Sequence, residues 1–493
     1  MLSSRTRSQS TLNASGDRSR PSDVPTGQLG SVVARRSVLG LLLRLLSVGL
    51  GVVSTVVIVR ALGSHEFGLF TLGLAIAGVI TQLADFGITQ AVTKLSTQDP
   101  ENATRIASVA MTVRLVLTAV LGSLGVVLAL SLAGREAALV VAVLIATAPL
   151  STASVLVGLA NARLRPELGP LLVAGQSFLW CIVCVVLTRQ APTPLSFAIG
   201  LAVTVCMQSL ATIVLIIGFH IPHRFNLSGA MQVLRVSWAP AVLGIFVTAY
   251  YRLDSVVVYH YAGAAALGHY GAAYRLIDTA QLLPTVLVAP LIPLVVQTRQ
   301  TSWGSERVLR AALRYALICG AVVAAVLAGC GKWLLTTLYG REYAPADAVL
   351  AWLGLAFVAI CLSYVGTASC MALGVVKRQI LPVAILAILS VVAQAWLIPR
   401  YGIIAAAVTT AVTELAMATI GLALLRSHFN RVWQGVPVIR IVACGAIAAI
   451  AGRLSNSEQW WSAVATASAL VFLLFALRVL TRHDLEMLLR RPA

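Results

Sequence analysis

Apolar positions in this chain do not alternate with polar ones at the period of a half-buried strand; they come in long unbroken runs. Val38 to Val59 carries a single charge, Arg44, and is followed at once by the turn-like Arg60-Ala-Leu-Gly63-Ser-His-Glu66-Phe-Gly. A run of about 20 apolar residues crosses a roughly 30 Å hydrocarbon layer as a helix. Fourteen such runs can be delimited, at 38–60, 67–93, 106–132, 137–160, 168–188, 195–219, 236–260, 264–296, 309–331, 345–373, 379–398, 402–425, 437–454 and 460–479. In lipid the backbone must satisfy its own hydrogen bonds, and these runs are too long for barrel strands. The pattern predicts an all-α, polytopic membrane protein with about fourteen transmembrane helices. The connections between runs are too short for a soluble domain of ordinary size.

Charge decides orientation. Hydrophobic residues make up 59% of the chain and charged residues 11%, yet the net charge is +19. With the N-terminus in the cytoplasm, 26 of the 36 Lys and Arg fall on that side and seven on the other: Arg60, Arg135, Arg189, Lys332, Arg341, Arg400 and Arg453. By the positive-inside rule, a multi-pass protein of the cytoplasmic membrane with both termini cytoplasmic is expected. Basic inner loops would meet anionic membrane lipids. Because the charge is dispersed over many short loops, no nucleic-acid partner is expected. Residues 1–34, rich in Ser, Arg, Gly and Pro, read as a disordered cytoplasmic tail. No cleavable signal peptide is expected at its start, so the first span would do the targeting. The eight cysteines lie in or at the ends of apolar runs. Cys181 and Cys184 form a C-x-x-C inside Leu179-Trp180-Cys-Ile-Val-Cys-Val185, an apolar setting that favours helix packing over a metal or redox site.

Two stretches of the chain look alike. Gly63-Ser-His-Glu-Phe67-Gly68-Leu-Phe70 follows the first run, and Gly263-Ala-Ala-Ala-Leu-Gly-His-Tyr270-Gly271-Ala-Ala-Tyr274 follows the seventh. Matching Phe67-Gly68 to Tyr270-Gly271 gives an offset of 203 residues, and matching Arg163 to Lys377 gives 214. Near-equal offsets suggest two pseudo-symmetric six-helix lobes, residues 35–220 and 221–430, around a cavity lined by the first, second, seventh and eighth spans. Residues 431–493 then hold two additional helices and a short cytoplasmic tail.

Four segments carry a resemblance to a known family. They are Arg60-Ala-Leu-Gly63-Ser-His-Glu66-Phe-Gly-Leu-Phe70; Asp85-Phe-Gly87-Ile; Leu338-Tyr-Gly340-Arg-Glu342-Tyr-Ala-Pro345-Ala; and Leu397-Ile-Pro-Arg-Tyr401-Gly402-Ile-Ile-Ala-Ala-Ala. In their order and spacing the chain resembles the polysaccharide flippase branch of the multidrug/oligosaccharidyl-lipid/polysaccharide exporter superfamily. The resemblance implies movement of a lipid-linked oligosaccharide from the inner to the outer leaflet, without a cofactor. Glycosyltransferases and a polysaccharide polymerase would then be partners. The chain lacks a dense set of arginines along its first two spans, which makes a peptidoglycan precursor the less expected cargo. Each motif also has a plainer reading, since Gly63, Gly68, Gly340 and Gly402 permit tight turns and close helix approach whatever the function.

Ionisable groups within spans are costly and face protein or water. They are Arg44, Asp85, Arg114, Arg252, Asp254, Arg275, Asp278 and Glu414. Arg252, Asp254, Arg275, Asp278, Arg44 and Arg114 are the candidates for holding an anionic cargo in a cavity. A guanidinium fork grips a diphosphate with paired hydrogen bonds. Arg275 and Asp278, three apart, can also neutralise each other. Arg252 and Asp254, two apart, point to different sides of one helix, and Arg252 is the foremost candidate. Arg44 can instead snorkel to the membrane surface. Glu414, isolated in sequence, is a candidate for ion coupling or for a buried hydrogen bond. Arg60, Gly63, Glu66 and Asp85 are gate or turn candidates, with Asp85 expected to cap its helix or to pair with a loop arginine. No G-x-x-x-x-G-K-[ST] motif occurs, so hydrolysis of a nucleotide is not expected to drive transport. Acids on the outer side are scattered, which disfavours the alternative of a membrane glycosyltransferase or polymerase. A lipid II or drug exporter of the same superfamily is the other alternative.

Overall fold

Helices make up every regular element in the computed structural model, which describes residues 26–147, 152–162, 165–190, 192–217, 226–288, 291, 295, 302–426, 436–455 and 459–476. In chain order they are α1 (Thr26–Asp85), α2 (Ile88–Gln98), α3 (Ala103–Ala146), α4 (Val155–Ala162), α5 (Leu168–Gln190), α6 (Pro194–Ile217), α7 (Leu227–Ala280), α8 (Leu282–Val288), α9 (Ser302–Gly329), α10 (Gly331–Tyr339), α11 (Asp347–Leu373), α12 (Ile380–Tyr401), α13 (Ile403–Arg426), α14 (Val438–Leu454) and α15 (Trp460–Ala476). A short 3₁₀ segment, Arg341–Ala346, joins α10 to α11.

Among the described residues nine helices are long and apolar enough to cross a membrane. Two of these are far too long for one crossing. The 60 residues of α1 would extend about 90 Å if straight. Instead α1 folds back at Gly63 (φ 70°, ψ 177°) and α7 at Gly263 (φ 85°, ψ 176°). α3 does so at Gly134 (φ 75°, ψ −166°). With α4, α14 and α15 the arms are consistent with the fourteen runs read from the sequence.

Gly340 (φ 107°, ψ 165°) and Gly402 (φ 64°, ψ −151°) repeat the same backbone conformation between their helices. All five lie on one face of the bundle, here the turn face. The region they occupy is essentially closed to any residue with a Cβ. At the opposite face the chain turns with left-handed glycines. Gly374 (φ 75°, ψ 15°) ends α11 as its N–H reaches Met371 O at 3.1 Å and the Val375 N–H reaches Cys370 O at 3.0 Å. This pair of bonds satisfies the last carbonyls of the helix. Gly87 (φ 66°, ψ 14°) separates α1 from α2 there, preceded by Phe86 at φ 42°.

The repeat has a different register from the one expected on aromatic–glycine pairs. Gly63 and Gly263 share one backbone conformation and stand 200 residues apart. Phe67 therefore corresponds to Leu267, both buried, and Tyr270 to Phe70. The contacts agree: a Cβ on Gly68 would lie 1.9 Å from Ala264 O, and one on Gly268 would lie 1.9 Å from Ser64 O. Gly271 likewise meets Thr71. Such reciprocal contacts are the mark of a pseudo-two-fold axis running between the two arms. The second pairing, Arg163 with Lys377, falls on a residue outside the described ones.

Packing sorts the helices into two groups. α1 packs on α3 and α5, and α6 on α3 and α5; α12 packs on α7 and α13, and α11 on α9 and α13. The groups meet chiefly through α1 and α7. α14 and α15 pack on each other and on α9, outside the repeat. Arg453 at the end of α14 donates to Ala328 O at 2.7 Å and lies 3.4 Å from the Asp347 carboxylate.

Candidate functional site

Ionisable residues converge where the second arm of α1 faces the two arms of α7. Thr71, Leu74 and Ala75 form one wall. The other carries Arg252, Asp254, Arg275 and Asp278. By helix rise, Arg252 and Arg275 each lie about 16–18 Å from the Gly263 turn, near mid-membrane depth. Asp254, 1% exposed, accepts from Tyr270 Oη at 2.6 Å and from the Ser255 N–H at 2.5 Å. Its neighbour Arg252 has no carboxylate within ion-pair distance among the described residues. Arg275 Nη1 stands 4.0 Å from Asp278 Oδ2, at the outer limit of a salt bridge. The enclosed space is about 20 Å³, room for roughly one water molecule. Two guanidinium groups and two carboxylates thus line a small chamber, with Arg275 loosely paired to Asp278 and Arg252 in ion-pair range of neither acid.

A latch on the turn face ties the two helix groups together. Arg60 Nε donates to Leu338 O at 2.7 Å, and its Nη2 donates to Thr337 O at 2.5 Å, at the C-terminal end of α10. Cationic groups fit there because the last carbonyls of a helix carry partial negative charge. Glu342 accepts from the Ser64 N–H at 2.8 Å, directly after Gly63, while its own carbonyl bonds His269 Nε2 at 3.1 Å. The latch carboxylate is therefore Glu342. Glu66 points to the surface, its nearest partner His65 at 3.7 Å. Glu342 was visible in the third motif, but its reach to Ser64 spans 278 residues and has no local signal.

Beyond Tyr251 a second chamber of about 440 Å³ lies within the C-terminal group, between α7, α8, α11 and α13. Its polar lining includes Gln281, Ser363, Tyr364 and Glu414. Tyr364 donates to Gln281 Oε1 at 3.1 Å. Arg44 of α1 is exposed and lines neither chamber.

Arg114 and Asp85 lie elsewhere. Expected in the cavity, Arg114 is instead 5% exposed inside the N-terminal group, its Nη1 2.9 Å from Asp85 Oδ1 and 2.6 Å from Ser154 Oγ. Asp85 takes this span arginine rather than a loop arginine, and also accepts from Thr89 Oγ1 at 2.9 Å. The pair braces the break at Phe86 and Gly87, where a buried charge without its partner would be costly.

The sequence profile of a family described as "Polysaccharide biosynthesis protein" matches residues 33–299. No match was found among curated protein sequences. Among solved structures, the lipid II flippase MurJ in an inward closed conformation superposes with a TM-score of 0.73 at 13% identity, covering 91% of this chain and 99% of that one. A multidrug-resistance MATE transporter of the MOP superfamily, inward-facing, gives 0.61 at 14% identity over 82% of this chain and 99% of its own. A MOP superfamily transporter from Pyrococcus furiosus, whose binding pocket is described as reversed in polarity, gives 0.58 at 13% identity over 81% and 96%. The chain has the fold of these transporters.

Proposed function

This chain belongs to the polysaccharide biosynthesis protein family, and on that premise we propose that it is a flippase carrying a polyprenyl-linked oligosaccharide across the cytoplasmic membrane. In this reading the lobes 35–220 and 221–430 rock about the pseudo-two-fold axis in alternating access, and 431–493 ride on the second lobe. The turn face is the outer one and both termini are cytoplasmic, as the 26-to-7 split of basic residues supports. The protein moves its cargo without covalent chemistry, and glycosyltransferases and a polymerase supply and consume it for cell-surface polysaccharide.

The observation that carries the reading is Arg252, with no carboxylate in ion-pair range among the described residues, beside the loosely paired Arg275 where the two helix groups meet. An unpaired guanidinium there is costly unless water or an anion reaches it. A lipid diphosphate supplies several acceptor oxygens in the geometry the fork prefers. With the Arg60 and Glu342 latch made and only about 20 Å³ beside the arginines, this conformation has no room there for a diphosphate. Opening between α1 and α7 would create it while the polyprenyl tail stays in lipid.

Flipping of a polyprenyl diphosphate-linked oligosaccharide in proteoliposomes tests this, with membrane insertion measured alongside. Arg252→Ala is expected to abolish transport and Arg252→Lys to retain part of it, because an ammonium keeps the charge but loses the fork. Wild-type transport by Arg252→Ala would overturn the reading.

A further inference from the structure

The 440 Å³ chamber next to the arginines is not needed to hold a diphosphate, and its chemistry is of another kind. Its walls are mostly apolar, with three tyrosines among them. Tyr250 and Tyr251 lie with ring centroids 4.6 Å apart, and Tyr364 faces in from α11. At its back sits Glu414, 1% exposed, in the same lining as Tyr250 and Tyr251. Ser363 Oγ reaches Glu414 Oε2 at 3.4 Å, but Oε1 is buried with no donor in hydrogen-bonding geometry. A buried acceptor left without a donor costs about 1–3 kcal/mol. Tyr364 occupies the oxygen of Gln281 and leaves its amide hydrogens to donate.

We propose that this chamber binds the first sugar of the cargo, with Glu414 Oε1 accepting from a sugar hydroxyl and the Tyr250–Tyr251 rings packing against the pyranose face. The proposal rests on the flippase reading above. Four features argue for it. The volume suits one or two hexose rings and falls within the usual range for small-ligand sites. The C–H face of a pyranose is weakly positive and meets the negative face of an aromatic ring. Sugar hydroxyls are donors, which is what the orphaned oxygen lacks. Finally, Tyr251 lines both chambers, so a diphosphate at Arg252 and Arg275 would present its attached sugar to the tyrosine wall.

Isolation in the sequence made Glu414 an ion-coupling candidate, and the surroundings argue against a cation. The chamber is wide and partly apolar, with Val247, Met371 and Met417 in its lining, rather than a tight oxygen cage. Arg252 and Arg275 stand on the other side of Tyr251.

Two probes separate the possibilities: a polyprenyl diphosphate without sugar, and the same lipid bearing one hexose. Each is tested for equilibrium binding to the purified full-length protein and for flipping in proteoliposomes. Wild type is expected to bind the hexosylated lipid about tenfold more tightly than the bare one, the worth of one charge-assisted hydrogen bond. Glu414→Leu is expected to abolish that preference, bringing the affinity for the hexosylated lipid down to that for the bare one. Glu414→Gln, which keeps a carbonyl acceptor, is expected to retain part of it. Arg252→Ala should weaken binding of both lipids alike. Equal wild-type affinity for the two lipids overturns the proposal, as does a Glu414→Leu variant that loses both equally. A preference unchanged in Glu414→Gln, with the pH or sodium dependence of flipping lost, assigns Glu414 to ion coupling and likewise overturns it. Failure of wild type to flip either lipid counts against the flippase reading alone, because the binding ratio still decides the sugar site.

Discussion

The two halves of this molecule make the same turns and place different chemistry behind them. At the turn face they are near-copies: Gly63 and Gly263 bend in the same way, and Gly68 and Gly268 each press against the opposite arm. Towards mid-membrane the likeness ends. With the 200-residue register, the counterparts of Arg252, Asp254, Arg275 and Asp278 are Val52, Ser54, Ala75 and Gly78. The N-terminal half keeps its buried arginine, Arg114, away from the interface and satisfies it with Asp85 and Ser154. Symmetry is retained where the halves meet at the turn face and abandoned around the chamber that holds Arg252 and Arg275. A buried charge with a complete set of partners is a brace, and one with an incomplete set is a site.

Arg114→Ala gives the largest effect expected from this contrast. It strands Asp85, 21% exposed, and should cost about 3–5 kcal/mol of stability, read as a fall in the thermal midpoint of the purified protein. Replacing Arg114 and Asp85 together by Leu should recover most of that loss. If Arg114→Ala instead keeps wild-type stability and loses only transport, the two arginines are not different in kind. Gly68→Val comes next. Its Cβ would fall 1.9 Å from Ala264 O, so the turn faces could no longer close without backbone movement. A cost of about 1–3 kcal/mol falls on the closed form. Spin labels at the exposed positions His65 and Arg341 should move apart, and flipping should fall about tenfold or more. Gly78→Ala, where an added methyl meets nothing within 4 Å, is the matched control and should behave as wild type. The smallest effect belongs to Arg60→Ala. The side chain is exposed, so losing its bonds to Thr337 O and Leu338 O should shift the same label distance by a population change of about fivefold, roughly 1 kcal/mol. A wild-type distance distribution in Arg60→Ala would remove the latch from the comparison.

How much of this was legible in the chain varies with distance along it. The helical runs and the turn glycines declare themselves locally, because hydrocarbon imposes a length on each run and a hairpin without a long loop demands a residue lacking Cβ. The separation of Arg252 from Asp254 was also legible, since two residues on a helix diverge by geometry. The register was not: 203 and 200 residues are both plausible spacings until the backbone shows which glycines share a conformation. Nor was the partner of Arg114, which comes from another helix 29 positions away, nor the reach of Glu342 to Ser64.

The apolar runs of the sequence by themselves determined an all-α protein crossing the membrane many times, its internal repetition and the short roster of charges that a membrane tolerates only for a reason. Tertiary structure decided which of those charges are braces and which face a chamber. That choice depends on the partners supplied by other helices. Hydropathy and spacing are properties of one segment at a time, whereas the satisfaction of a buried charge is a property of everything packed around it.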